Sequence, residues 1–301
     1  MIPVASSLIS AVSRRQRPAS ARAARPHAFF VEGRATGLVP VTVAYERLGD
    51  GEPLVLLHGV GHHRQAWDAV VPSLTGHETI ALDLPGFGES PDLDPAVPRD
   101  LETTVAWMGA VFDALGVERP HVAGHSLGGL IALRLAQAGL ARSVTALAPT
   151  GFWSDAERRY AYAVLNIARQ GARLLPEAPV AWPALNISKR EAPADGLDVR
   201  PTPWLPEVSA ADLRMPRDAA PFKAILRAGR APGLFSGDIP GVPVTIAWGT
   251  RDRLLPPRQA ERAKAMIPGA RLVPLPGCGH VPMADAPDLV ARVLRRQRAH
   301  E

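Results

Sequence analysis

Cysteine and long apolar runs are scarce in this sequence, and each shortage excludes a class of protein. One cysteine, Cys278, in 301 residues rules out an intramolecular disulfide and any metal site that is built from several thiolates. No uninterrupted apolar run approaches the ~18 residues that a membrane-spanning helix needs. We therefore expect no membrane span and a cytoplasmic location.

Acidic residues are missing from the start of the chain. The first 31 residues contain five arginines and no Asp, Glu or Lys, so these arginines account for the whole net charge of +5. They are Arg14, Arg15, Arg17, Arg22 and Arg25. Because the rest of the sequence is neutral, we expect no nucleic-acid partner. The composition of residues 1–27 predicts a disordered basic tail, and it also fits an organelle transit peptide.

A strand that turns abruptly into a helix organises the sequence. Residues 122–130, VAGHSLGGL, are typical of a buried strand that ends in G-x-S-x-G and continues into an apolar helix. On so sharp a turn, side chains at Gly124 and Gly128 would collide, so small residues are a steric requirement there. The turn exposes the Ser126 hydroxyl above the sheet, and the Leu127 N–H points at any oxyanion that forms. Ser126 is therefore the candidate nucleophile.

Three further motifs lie at the ends of apolar runs. They are H-G-V-G at residues 58–61, W-G-T-R-D at 248–252 and G-C-G-H-V-P at 277–282. Together with G-x-S-x-G, they resemble the α/β-hydrolase family, whose nucleophile, acid and histidine follow the same order along the chain. The resemblance covers roughly residues 38–150 and 240–297. It implies a mostly parallel central sheet flanked by helices and a helical cap inserted after strand 6. The sequence shows no cofactor fingerprint, so we expect no cofactor.

The spacing of apolar residues supports this architecture. Apolar runs predict strands at residues 38–47, 53–58, 79–84, 144–148, 242–249 and 271–274. Helical spacing and capping residues predict helices at 64–74, between Asp100 and Gly116, and at 130–140, 258–267 and 288–298. The regular alternation stops after Pro149. We therefore expect a hydrolase core formed by residues 28–150 and 240–301, and a cap formed by residues 151–239.

The resemblance implies a catalytic triad of Ser126, His280 and Asp252. A serine hydroxyl becomes an effective nucleophile when a base removes its proton, and that role is implied for His280. Asp252 would accept the other ring N–H of His280 and stabilise the imidazolium. Asp155 is a second candidate for the acid, because some family members take the acid from after the sixth strand.

Residues beside the candidate nucleophile have interpretations of their own. The resemblance places the backbone N–H of Val60 with that of Leu127 in an oxyanion hole. We expect His58 to brace that loop. Side chains alternate along a strand, so we expect His125 to point elsewhere. The two histidines at residues 62–63 have no carboxylate or cysteine at ligand spacing, so no metal ion is expected.

These observations predict a hydrolase that forms an acyl-enzyme on Ser126, as an ester hydrolase of class EC 3.1 does. Aromatic residues in the predicted cap favour a small apolar or amphiphilic acyl substrate. Two alternatives remain open: the same triad acting on a carbon–carbon bond, an amide or a lactone, and a non-catalytic binding protein on this scaffold. Epoxide hydrolysis is disfavoured, because relatives with that chemistry place Asp where this chain has Ser126.

Overall fold

An eight-stranded sheet runs through the described part of the chain. The structure is a computed structural model that describes residues 28–174 and 235–296. The strands are β1 (Phe29–Gly33), β2 (Val41–Leu48), β3 (Glu52–Leu57), β4 (His77–Leu82), β5 (His121–His125), β6 (Ser143–Leu147), β7 (Val244–Gly249) and β8 (Arg271–Leu275). Their order across the sheet is β1-β2-β4-β3-β5-β6-β7-β8. Only the pairs β1/β2 and β2/β4 of this sheet are antiparallel, which confirms the predicted, mostly parallel α/β sheet.

Helices cover both faces of the sheet. They are α1 (Leu101–Leu115), α2 (Leu127–Gln137), α3 (Asp155–Leu174), α4 (Arg258–Met266), α5 (Pro282–Asp285) and α6 (Pro287–Arg295). In β3, Val55 and Leu57 pack in the cluster that contains α1 and α2, whereas Leu54 and Leu56 pack in the cluster that contains α6. All four residues are fully buried, as expected of a parallel strand that is covered on both faces.

Local capping sets the ends of α1 where the sequence predicts them. The Asp100 carboxylate accepts a hydrogen bond from the Thr103 N–H at 2.7 Å, which satisfies one of the backbone donors left unpaired at a helix start. Gly116 ends the helix with a φ of 70°, a left-handed conformation that glycine adopts without steric cost. The prediction of this helix is confirmed.

The prediction of a helix over residues 64–74 is wrong. The chain forms two 3₁₀ turns there, Arg64–Trp67 and Val71–Ser73. Backbone N–H groups in this stretch bond to carbonyls three residues back, which is the 3₁₀ pattern. Pro72 has no N–H to donate, and its ring would clash with the preceding turn, so it disfavours the interior of an α-helix.

Other elements differ from the prediction in their bounds. Strand β1 was not predicted, because it is an edge strand whose consecutive residues Phe29 and Phe30 are both exposed, so it lacks the usual alternation. Helix α2 begins at Leu127, directly after the candidate nucleophile, rather than at residue 130. The predicted basic tail, residues 175–234 of the predicted cap and the end of the last predicted helix lie outside the described residues.

A buried glutamate ties the first helix of the predicted cap to the core. Glu157 and Ser154 form a capping box: the Ser154 N–H donates to Glu157 Oε2 at 2.8 Å, and the Glu157 N–H donates to Ser154 Oγ at 3.3 Å. The same carboxylate accepts hydrogen bonds from Arg258 and Arg262, which lie one turn apart on α4. The start of α3 is therefore fixed both to its own first turn and to a helix of the core.

The turn from β5 into α2 is packed too tightly for any residue but glycine at two positions. A Cβ atom at Gly124 would lie 2.1 Å from the Gly128 carbonyl oxygen, and one at Gly128 would lie 2.4 Å from the Leu57 carbonyl oxygen. Between them, Ser126 has a φ of 53° and a ψ of −112°, a strained conformation that costs about 1–3 kcal/mol. The steric requirement predicted from the sequence is confirmed.

We expect Gly124→Ala to lower the free energy of unfolding by about 2–3 kcal/mol or more, because the added Cβ meets backbone that cannot move aside. Gly269→Ala is the matched control, since a Cβ there meets nothing within 4 Å. Urea unfolding of both variants measures the difference. Equal midpoints for the two variants would contradict the prediction.

Candidate active site

Loops at the carboxyl ends of four parallel strands converge at one edge of the sheet, the usual place for ligands in such folds. The loop after β3 carries Val60, and the turn after β5 carries Ser126. The loop after β7 carries Asp252, and the loop after β8 carries His280. The elements that supply these residues are thus separate in sequence and adjacent in space.

The hydroxyl of Ser126 faces an imidazole. Ser126 Oγ lies 3.2 Å from His280 Nε2, and His280 Nδ1 lies 2.8 Å from Asp252 Oδ2. A carboxylate only accepts hydrogen bonds, so the His280 proton sits on Nδ1 and leaves Nε2 free to accept from the serine hydroxyl. The three side chains therefore form a continuous hydrogen-bonded chain that can pass a proton from hydroxyl to imidazole.

The carboxylate of Asp252 is buried, and both of its oxygens accept hydrogen bonds. Its second oxygen, Oδ1, accepts from the N–H groups of Leu254 and Leu255 at 2.9 and 2.8 Å, and the residue is only 4% exposed. Asp155, the other candidate for the acid, has a side chain that is 71% exposed and pairs with Arg158. Of the two candidates, Asp252 is the one that the structure places against His280.

The loop after β3 lies directly against the turn that carries Ser126. A Cβ atom at Gly59 would lie 3.1 Å from the Cβ of Ser126. The next residues form a tight turn, in which the His62 N–H donates to the Gly59 carbonyl at 3.1 Å and Gly61 has a φ of 78°. Leu127 is the first residue of α2, where backbone N–H groups have no partner within the helix.

His58 braces this loop from below, as the sequence predicts. Its Nδ1–H donates to the Gly59 carbonyl at 2.7 Å, and its Nε2 accepts from the Leu84 N–H at 2.9 Å. Burial lowers the pKa of His58 to about 4, because a charged ring would lose its hydration. The neutral side chain links the loop after β3 to the chain that follows β4.

A buried arginine that sequence reasoning missed anchors the same region. The Arg64 N–H donates to Asp83 Oδ1 at 2.6 Å, and its guanidinium bonds to Asp83, Glu46 and Glu89. The Glu89 N–H also donates to Asp83, at 2.8 Å. Bonding of this kind compensates for the desolvation of a buried charge. No local pattern distinguishes Arg64, because its partners lie on two other segments, β2 and the chain that follows β4.

The side chain of His125 lies beside the candidate base. Its ring lies 4.9 Å from the ring of His280, centroid to centroid, although the sequence analysis expected it to point elsewhere. The alternation argument correctly turns it away from the Ser126 hydroxyl. The alternation could not reveal that the loop carrying His280 packs against the face of β5 on which His125 lies.

Hydrogen bonds to its own backbone hold the loop before His280 in place. The Gly279 N–H donates to Asp285 Oδ2 at 2.7 Å, and the Arg251 N–H donates to the Cys278 carbonyl at 2.9 Å. Burial raises the pKa of the Cys278 thiol to about 12. Cys278 is therefore a neutral packing residue at the sheet edge.

Among residues 28–174 and 235–296, no group of three or more His, Cys, Asp or Glu side chains could hold a metal ion. None of the helices in those ranges is long and apolar enough to cross a membrane.

Comparisons with known proteins concern both sequence and fold. Residues 54–293 match the model of the alpha/beta hydrolase family. An uncharacterized protein of Mycobacterium tuberculosis is 30% identical over 270 residues, which cover 83% of this chain and 77% of that protein. Epoxide hydrolase EphH of the same organism is 30% identical over 202 residues, which cover 60% and 87%.

A solved structure has the same fold. A thermophilic esterase from Thermogutta terrifontis superposes with a TM-score of 0.65 at 20% identity, and the alignment covers 91% of this chain and 99% of the esterase. At that identity the likeness concerns the fold alone.

We expect acid to destabilise the protein partly through His58. The unfolded ring takes up a proton near pH 6.5, whereas the pKa of the folded ring is about 4. The unfolded state therefore binds more protons within this window, so stability present above pH 6.5 is lost as the pH falls towards 4, by roughly 3 kcal/mol in all.

His58→Gln tests this prediction, since glutamine does not titrate. Urea unfolding at about pH 7.5 and about pH 5 should show a smaller loss of stability in the variant than in the wild type. Some loss remains, because burial also lowers the pKa of His125 well below its usual value. Equal losses in the two proteins would refute a role for His58.

Proposed function

This chain belongs to the alpha/beta hydrolase family, and from that premise we propose that it hydrolyses carboxylic esters or related acyl bonds through an acyl-enzyme on Ser126. The observation that carries the proposal is the chain of hydrogen bonds from Ser126 through His280 to Asp252, at 3.2 and 2.8 Å. Such a chain activates a hydroxyl that is otherwise a poor nucleophile.

In the first step Ser126 Oγ attacks the substrate carbonyl while His280 Nε2 takes the hydroxyl proton. Asp252 keeps the proton of the neutral ring on Nδ1 and stabilises the imidazolium. Its carboxylate stays in place because Leu254 and Leu255 hold its other oxygen. The imidazolium then protonates the leaving alcohol, and the acyl group remains on Ser126.

The N–H groups of Val60 and Leu127 are proposed to stabilise the oxyanion of the tetrahedral intermediate. Both lie on backbone that packs against Ser126, since Leu127 follows it directly and Gly59 approaches its Cβ. Donors that are fixed before the reaction do not need to reorganise as charge develops, which is the main source of such stabilisation.

In the second step His280 removes a proton from water, which attacks the acyl-enzyme and releases the acid. The imidazolium returns its proton to Ser126, so the enzyme is regenerated without any other reactant. The same two reaction steps serve a thioester, an amide or a lactone. An acyl-enzyme on Ser126 is common to all of these substrates, and we favour the ester among them.

Epoxide opening, the activity named for one relative, fits this site poorly for a chemical reason. Attack of a carboxylate on an epoxide leaves an ester, and water can then cleave that ester at its carbonyl carbon. Attack by Ser126 would leave an ether, which has no carbonyl for water to attack. A serine at this position therefore favours acyl substrates.

We also propose that residues 151–239 form a cap that closes over this site and selects a small apolar or amphiphilic acyl substrate. The segment starts directly after the core strand β6, and Glu157 fixes its first helix to α4. Near this anchor the rings of Trp153 and Tyr162 meet edge to face, 5.9 Å apart. Apolar rings of this kind suit an acyl chain.

Labelling with a fluorophosphonate probe tests for the activated serine. We expect the purified wild type to be labelled stoichiometrically and Ser126→Ala not to be labelled, since the probe reacts only with an activated nucleophile. A series of p-nitrophenyl esters of increasing chain length then measures the acyl preference. A well-folded wild type that resists labelling would refute the acyl-enzyme proposal and favour a binding protein.

We expect Val60→Pro to lower kcat/KM for the preferred ester by about 10²- to 10³-fold, because proline removes a proposed oxyanion donor. Val60 is the second residue of the turn from Gly59 to His62, whose third residue, Gly61, has a φ of 78°. Proline is common at the second position of such turns, so the backbone should tolerate it. Val60→Ala keeps the N–H and is the control, and a similar kcat/KM in both variants would exclude the Val60 N–H from the oxyanion hole.

A further inference from the structure

His125 is a buried imidazole in contact with two of the loops around the proposed nucleophile. It is the last residue of β5 and is only 2% exposed. Alternation along the strand puts it on the same face as Ala123, which packs in the cluster that contains α6 and Cys278. The loop that carries His280 crosses this face, so the side chain of His125 meets that loop.

The contact with the loop is a directed hydrogen bond. His125 Nε2 lies 2.7 Å from the carbonyl oxygen of His280. A carbonyl only accepts, so Nε2 must carry a proton. Burial lowers the pKa of His125 well below its usual value, so the ring is neutral and Nδ1 carries no proton. The tautomer of His125 is therefore set by the backbone of His280.

The opposite edge of the ring faces the loop after β3. A Cβ atom at Gly59 would lie 2.8 Å from His125 Nδ1, so a glycine there lets this edge of the ring approach the loop closely. Nδ1 is buried and has no hydrogen-bond partner within the described ranges. An unpaired buried acceptor destabilises a fold, and an apolar side chain would fill this space without that cost. Packing alone therefore gives no reason for a histidine here.

We propose that His125 is a positioning residue for His280: its Nε2–H holds the His280 carbonyl and thereby keeps His280 Nε2 at 3.2 Å from Ser126 Oγ. The inference rests on the proposed function, in which His280 is the base. The carbonyl is bonded to the Cα that bears the His280 side chain, so rotation of this peptide would swing the ring. A displacement of about 1 Å at a reacting group can cost about 100-fold in rate.

Two substitutions at His125 separate the hydrogen bond from the volume of the side chain. His125→Leu keeps an apolar group in the space but removes the donor, and we expect kcat for a p-nitrophenyl ester to fall roughly 10- to 100-fold with little change in KM. His125→Gln can return an N–H to the same carbonyl and should restore most of kcat. Rates are expressed per active site titrated with the fluorophosphonate, so that loss of folded protein is not counted.

His121→Leu is the matched control. His121 lies four residues earlier on the same strand, is equally buried, and bonds to Ser143 at 2.7 Å rather than to the site. We expect this variant to lose stability but to keep the wild-type kcat per titrated site. An equal fall in kcat for the two leucine variants would show a general effect of losing a buried histidine and would overturn the inference.

The outcomes for His125 and for the proposed function are distinguishable. A wild type that neither reacts with the probe nor hydrolyses the ester refutes the proposed function. A wild type that does both, beside a His125→Leu variant with unchanged kcat, overturns only the role of His125. A fall in kcat that glutamine rescues supports it.

Nitrogen NMR of the wild type tests the hydrogen bond from His125 to the His280 carbonyl even where the leucine variant does not fold. With the His125 signals assigned by their loss in His125→Gln, we expect a neutral ring that is protonated at Nε2 at about pH 7. The low-field Nδ1 proton of His280, bonded to Asp252, should shift in the glutamine variant. A His125 ring protonated at Nδ1 instead cannot donate to the carbonyl, and that result would overturn the inference.

Discussion

Close backbone contact between β3, β5 and the first turn of α2 is the constraint on which the geometry of the site depends. The carbonyl oxygens of Leu57 and Gly128 occupy the space that side chains at Gly128 and Gly124 would fill. This packing holds Ser126 at a positive φ and places the loop after β3 against it. The relative position of the proposed nucleophile and the proposed oxyanion donors is therefore set by main-chain packing.

Around this contact, buried polar side chains link the loops to one another. Asp252 is held by two backbone N–H groups, and His58 joins the Gly59 carbonyl to the Leu84 N–H. The ion pair of Arg64 with Asp83 continues the same network beneath the loop after β3. Hydrogen bonds made before substrate arrives keep a site organised, so that little reorganisation is needed when charge develops.

Much of the fold could be predicted because its signals are local. Continuous apolar runs mark the strands that are buried on both faces, and Asp100 and Gly116 mark the ends of α1 through contacts with their own neighbours in sequence. The failures have equally specific causes. The 3₁₀ turns around Pro72 replaced a predicted helix, and β1 is an edge strand with exposed residues on both faces.

The sequence by itself determined the strand-to-helix turn that carries the candidate nucleophile, because that turn rests on the sterics of neighbouring residues. It also determined the order of the four motifs, and the resemblance of those motifs to the α/β-hydrolase family supplied the candidates for base and acid. Only the tertiary structure decided which side chains meet. It pairs His280 with Asp252 rather than with Asp155, Arg64 with Asp83, and His125 with the His280 carbonyl. The partners in these pairs are 28, 19 and 155 residues apart in sequence, and contacts over such distances depend on how strands and loops pack, which no local pattern encodes.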